Sequence, residues 1–189
     1  MKQEYSVLIF IAVVMLAYFI IATPVIMDDG FHYEGFAESL AQGRLDFKSF
    51  YGFQGLSFFA VPVFWLTGSH NSIIIASAIF SLLSIPLAYF IGKEFYGNRR
   101  AGIYFLVLFL LTPYPYTTMM RGFQEAAVLF FVLLVIYASI RKKLWSPVAW
   151  AVGGVVKPFV LVLFPLFTKD LLNSKKVVWL VLGLLVGGL

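Results

Sequence analysis

The 189 residues carry 61% hydrophobic and 19% aromatic side chains, only 12% charged ones, and a mean hydropathy of +0.93. A soluble core of this length has no room for so much apolar surface, so the composition excludes an ordinary soluble domain and points to an integral membrane protein. The net charge of +5 would suit nucleic acid, yet the basic residues fall in short juxtamembrane clusters, which read as topology signals rather than a nucleic-acid face.

Repeated charge-free runs indicate helices, which satisfy their own backbone hydrogen bonds in lipid, rather than the alternating ten-residue segments of a barrel. The expected fold class is therefore all-α and polytopic, with about seven transmembrane helices and juxtamembrane helices in a first external loop over about 27–71. Zero cysteines exclude disulfides, thiolate metal sites and cysteine nucleophiles.

The first apolar run, 7–26, is about 20 residues long and can span, and Lys2 before it favours a cytoplasmic N-terminus. Ala22-Thr23-Pro24 is a poor cleavage site, so the run is read as an uncleaved helix rather than a signal peptide. Asp28 and Asp29 follow at the water boundary. Residues 31–43 then read as a short amphipathic interfacial helix, with Phe31, Phe36 and Leu40 set between His32, Glu34, Glu38 and Gln42 and with Gly43 ending it.

The apolar piece 53–66 reaches only about 21 Å of a roughly 30 Å hydrocarbon core, so it is expected to be interfacial or re-entrant. Residues 72–92 form a full span ending at Lys93, Arg99 and Arg100. The stretch 101–113 returns, 112–124 is expected to be an external loop because of Pro113 and Pro115, and 126–140 descends to Arg141, Lys142 and Lys143.

Residues 144–167 form one apolar run broken by Lys157-Pro158, readable as a single kinked helix or as a hairpin turning at that dipeptide. The hairpin is preferred because it puts ten of the fourteen Lys and Arg residues on the inner side. The last run, 177–189, stops after about 13 residues, short of a span, so the chain reads as a truncated module.

This topology gathers Asp28, Asp29, Glu34, Glu38, Asp46 and Glu125 at one face with Arg44, Lys48, Arg121 and Lys157. An acidic pair after a span can be a plain interfacial cap, and a lysine at membrane depth can simply snorkel. Their company favours chemistry. One carboxylate can take the proton of an attacking hydroxyl, while Lys157 and Arg121 stabilise a departing phosphate. A divalent cation, Mg or Mn, held by Asp29 and Glu125 would assist, although scattered oxygen ligands have no diagnostic spacing. His32 and His70 lack zinc spacing, and Tyr33, Tyr114 and Tyr116 can stack on a sugar or serve as boundary aromatics. The sequence has no phosphate-cradling glycine loop, which argues against a soluble nucleotide donor.

Asp29, His32, Tyr33, Ala37, Ser39, Leu40 and Gly43 resemble the first-loop motif of the C-type (GT-C) membrane glycosyltransferases, in the branch related to protein mannosyltransferases and the lipid A aminoarabinose transferase. The apolar piece from Gly55 through Pro62 to Gly68, Arg121 with Glu125, and Lys157-Pro158 are similar to later parts of that module. The resemblance covers residues 1–189 as an N-terminal module. It implies inverting transfer from a polyprenyl-phosphate-linked sugar donor to a lipid, protein or glycan acceptor, at the extracytoplasmic face of a multi-pass protein of a prokaryotic plasma membrane. Asp29 would be the base, with Asp28 beside it, and Lys157, Arg121, Glu125, His32 and Tyr33 would contact substrate. Gly30 departs from the family's usual second acid, and the C-terminal region that completes acceptor binding is missing. The rival readings are a non-catalytic lipid-phosphate-binding or transport subunit and a plain structural subunit.

Overall fold

A computed structural model describes residues 2–26, 29–45, 54–163 and 178, and the regular elements among them are all helical. In chain order they are α1 (Lys2–Ile21), α2 (Asp29–Ala41), α3 (Gly55–Thr67), α4 (Ser72–Tyr96), α5 (Arg99–Leu111), α6 (Tyr114–Arg121), α7 (Glu125–Ile140), α8 (Ser146–Val156) and a 3-10 helix, Pro158–Leu163. Among the described residues, α1 over Glu4–Ile21 and α4 are long and apolar enough to cross a membrane. A third span is available if α5 and α6, bent by 54° at their junction, cross as one broken unit. Helices α3, α7 and α8 are apolar but shorter, and the run 177–189 lies outside the described residues save Val178.

Helix α4 is the axis on which the others are hung, with 61% of its span buried against only 11% for α1. Its serines explain how. Ser72, Ser77, Ser81 and Ser84 are fully buried, and small side chains let neighbouring backbones approach where lipid offers no hydrophobic drive between helices. Ser84 Oγ returns its proton to Phe80 O at 2.9 Å, which keeps the hydroxyl satisfied inside the helix. One side of α4 packs with α2, α3, α7 and α8 around Leu56, Ile73, Ile74, Phe131, Val135 and Val156. The other packs with α1, α5 and α6 around Met15, Ile85, Tyr89, Leu106 and Met119.

Two sequence expectations change on this framework. The first helix stops at Ile21 rather than 26, because Pro24 disfavours helical backbone at the residue before it, and Thr23 takes a φ of 46°. The expected loop 112–124 contains α6, since Pro113 and Pro115 sit at the helix start, where a missing N–H costs nothing. The apolar piece 53–66, expected to be interfacial or re-entrant, is a regular helix from Gly55 to Thr67 with Pro62 inside it, and at 13 residues it is too short to cross by itself.

At Lys157-Pro158 the chain reverses. Lys157 is extended (φ −158°, ψ 128°), as a residue before proline prefers. The 3-10 helix then folds back on α8, where Trp150 Nε1 donates to Leu161 O at 3.2 Å. Gly153 and Gly154 make that contact possible, because a Cβ on Gly154 would lie 2.4 Å from Leu161 Cδ2.

Candidate functional site

The end of the bundle that carries α2, α6 and the start of α7 is built from helix termini. Helix α2 lies against α3 and the start of α4, with Tyr33, Phe36 and Ala37 buried and Ser57 Oγ donating to Tyr33 O at 2.8 Å. This orientation turns Glu34 inward. It is 5% exposed and caps α4: Oε1 accepts from Ser72 N at 3.2 Å and Ser72 Oγ at 2.7 Å, and Oε2 accepts from Ile73 N at 2.7 Å. Asn71, the residue in the cap position, makes no side-chain cap bond of its own, so a carboxylate from another helix supplies what the local sequence lacks. Burial nevertheless outweighs these donors and raises the Glu34 carboxyl above the usual range.

The start of α2 meets the end of α6. Val25 N donates to Met120 O at 3.1 Å, and a Cβ on Gly30 would stand 3.0 Å from both Arg121 O and Ile26 Cγ2. A side chain at position 30 would therefore press on backbone, which gives the glycine after Asp29 a packing reason. Gly122 closes α6 in the left-handed region at φ 69° and abuts Ile73 on α4. Asp29 and Arg121 are brought to this junction and both are exposed there. As the first residue of α2, Asp29 also sits where a negative charge complements the helix dipole.

Lys157, at the hairpin tip, reaches Glu125 in the first turn of α7, with Nζ and Oε1 2.6 Å apart. The two side chains are 38% and 30% exposed, so the pair is half-sheltered rather than buried. Its position is fixed from below, because Gly55 at the start of α3 lies so close to α8 that a Cβ there would be 2.2 Å from Val156 Cα. Gln124 next to the pair is 4% exposed, and its Oε1 accepts no hydrogen bond among the described residues.

Comparison with models of protein families, with curated proteins and with solved structures finds no match. The site must speak through its residues.

Of the residues singled out in the sequence, Lys157 and Glu125 are in direct contact, and Asp29 and Arg121 share the α2–α6 junction. His32 is exposed on α2, whereas Tyr33 is 4% exposed and serves the core rather than a surface a sugar could reach. Asp28, Asp46 and Lys48 lie outside the described residues. Among the described residues, no three His, Cys, Asp or Glu side chains are placed to share a metal ion. Lys157 Nζ occupies the position on Glu125 Oε1 that a cation would take.

Two features escaped sequence reading. Glu34 has the same amphipathic spacing as its solvated neighbours, and only the arrival of α4 makes it a cap. Glu38 bonds the exposed His70 across 32 residues. That hydrogen bond raises the imidazole above its ordinary value. Glu34, Glu38 and His70, with Pro24, Ile26 and Phe31, line an open cavity of about 500 Å³ beside the α2–α6 junction.

Proposed function

We propose that this chain is the N-terminal module of a multi-pass membrane glycosyltransferase of the GT-C type, carrying a polyprenyl-phosphate-linked sugar donor at the α2–α6–α7 end of the bundle. One observation carries the reading: a lysine at a proline-set hairpin tip is held by Glu125 beside the junction that bears Asp29 and Arg121. Three segments far apart in sequence thus converge with one exposed carboxylate and two cations at a helix-terminus surface.

The chemistry assigned is inverting transfer. The acceptor hydroxyl attacks the anomeric carbon, the Asp29 carboxylate takes its proton, and the bond to phosphate breaks with its electron pair going to the phosphate. That leaving group needs no general acid. Lys157 has three donors and spends one on Glu125, which leaves donors for phosphate oxygens. Arg121 pairs with no carboxylate among the described residues and is the second cation for the departing charge. Glu125 in this scheme positions Lys157 instead of touching the sugar. The protein is assigned to a prokaryotic plasma membrane with this end on the extracytoplasmic side, and the acceptor is a lipid, protein or glycan hydroxyl.

The test is Asp29→Asn in native membranes supplied with a polyprenyl-phosphate sugar. Transfer is expected to fall about 10³-fold while retention of the donor is unchanged. Transfer at the wild-type rate would overturn the assignment of Asp29 as base. Donor binding without transfer by the wild-type protein would favour a lipid-phosphate-binding subunit instead.

A further inference from the structure

The opposite end of the bundle poses a separate question, because its charges do not balance. Among the described residues it carries Lys93, Arg99, Arg100, Arg141, Lys142 and Lys143 against Glu4 and Glu94. Lys93 bonds Glu4 at 2.7 Å, Arg141 bonds Glu94 at 2.9 Å, and Arg99 shares Glu4 at 3.9 Å. Arg100, Lys142 and Lys143 pair with no carboxylate among the described residues. Arg99 and Arg100 are moreover the first two residues of α5, where the dipole disfavours cations.

Beside this surplus lies a long apolar space. A groove of about 500 Å³ between α4, α5 and α7 is walled by Ile91, Phe95, Phe105, Leu133, Ile136 and Leu163. Tyr96 and Phe105 at its mouth also line a second cavity, of about 550 Å³, that contains Asn98, Arg100 and Tyr104. The apolar groove thus adjoins, across the Tyr96 and Phe105 side chains, a pocket holding an arginine that pairs with no carboxylate among the described residues, and Phe95, Tyr96 and Tyr104 there are exposed aromatics of the kind that favour a membrane boundary.

We infer that this end binds an anionic glycerophospholipid, with one acyl chain in the groove between α4, α5 and α7 and the phosphate at Arg100. An apolar groove and a cation-bearing pocket side by side match the two halves of such a molecule. Charge decides among lipids: a zwitterionic headgroup brings its own ammonium toward Arg100, Lys142 and Lys143, whereas an anionic one meets only opposite charge. The phosphate also faces the start of α5, which turns two unfavourably placed arginines into a favourable arrangement. This inference is independent of the glycosyltransferase proposal, which concerns the other end.

The experiment is native mass spectrometry of the detergent-purified chain after incubation with equal amounts of phosphatidylglycerol and phosphatidylcholine of identical acyl chains. The wild-type protein is expected to retain phosphatidylglycerol about fivefold over phosphatidylcholine, the factor that corresponds to about 1 kcal/mol for one cation near a phosphate. Arg100→Gln, at an exposed position, should bring the two lipids to equal retention. Ser139→Phe, which fills the groove from α7, should lower retention of both at unchanged circular dichroism. Equal retention by the wild-type protein, or an unchanged preference in Arg100→Gln, overturns the charge site. Unchanged retention in a folded Ser139→Phe overturns the groove as the seat of the chain, as does retention of neither lipid by the wild type, the result expected if residues 164–189 occupy it.

Discussion

The two ends of the bundle use charge in opposite ways. At the α2 end, Glu34 is enclosed and spends both oxygens on the start of α4, while Glu125 and Lys157 hold each other at a tightly packed hairpin tip. At the basic end, Lys93–Glu4 is part-buried and Arg141–Glu94 more open, and both lie among further cations. The first arrangement fixes backbone in place. The second leaves a charge surplus that solvent or an anionic surface can answer. The contrast teaches that a carboxylate's role here depends on which groups surround it, helix-end N–H groups or a surplus of cations, not on how close its partner lies.

The contrast can be broken most forcefully at the contact that supports the hairpin tip. Gly55→Ala places a Cβ against Val156 Cα, Val156 N and Val155 O, all of them backbone, so neither helix can yield by a rotamer change. A loss of about 3 kcal/mol is expected in reversible unfolding in detergent, larger than the gain from replacing glycine in a helix. A stable Gly55→Ala protein would mean that α3 and α8 are not so closely joined.

Glu34→Ala comes next. It strips the cap from α4 and leaves Ser72 N and Ile73 N without their acceptor in a buried place, which should cost about 2 kcal/mol in the same measurement. At the other end, Arg141→Gln removes a pair whose arginine side chain is 45% exposed, and the loss should stay below about 1 kcal/mol and shrink further in salt. Equal costs for these two variants would erase the distinction between the ends.

The smallest effect belongs to His70. Glu38 raises its folded value, so the charged pair is complete below the unfolded imidazole's ordinary value of about 6.5 and is lost as pH rises through the raised folded one. In an NMR titration, Glu38→Gln should move the His70 midpoint back down toward the ordinary value. A midpoint unmoved by the substitution would show that the two side chains do not meet in solution.

Much of the helical layout was readable directly. Uninterrupted apolar runs can hide their backbone only as helices, so α1, α4 and α7 follow from composition and spacing, and Pro158, just after Lys157, sets the reversal through local sterics. Proline misled the reading at 113 and 115, because the same residue that breaks a helix interior also starts one. Residues 29, 121, 125 and 157 could be assigned to one end from topology alone. Tyr33 could not be assigned to the core that way, since an aromatic on an amphipathic helix reads equally well as boundary, ligand contact or core.

The sequence by itself determined that this is a helical membrane protein with six of its nine acidic residues ahead of α3 and eleven of its fourteen basic ones from α4 onward, because hydropathy and charge act locally and add along the chain. Tertiary structure alone decided that Glu34 is a cap, that Glu125 takes Lys157, and that Gly30 and Gly55 are points of backbone contact. Each of these depends on which helices meet, and partners 32 to 101 residues apart leave no periodicity for a sequence to show.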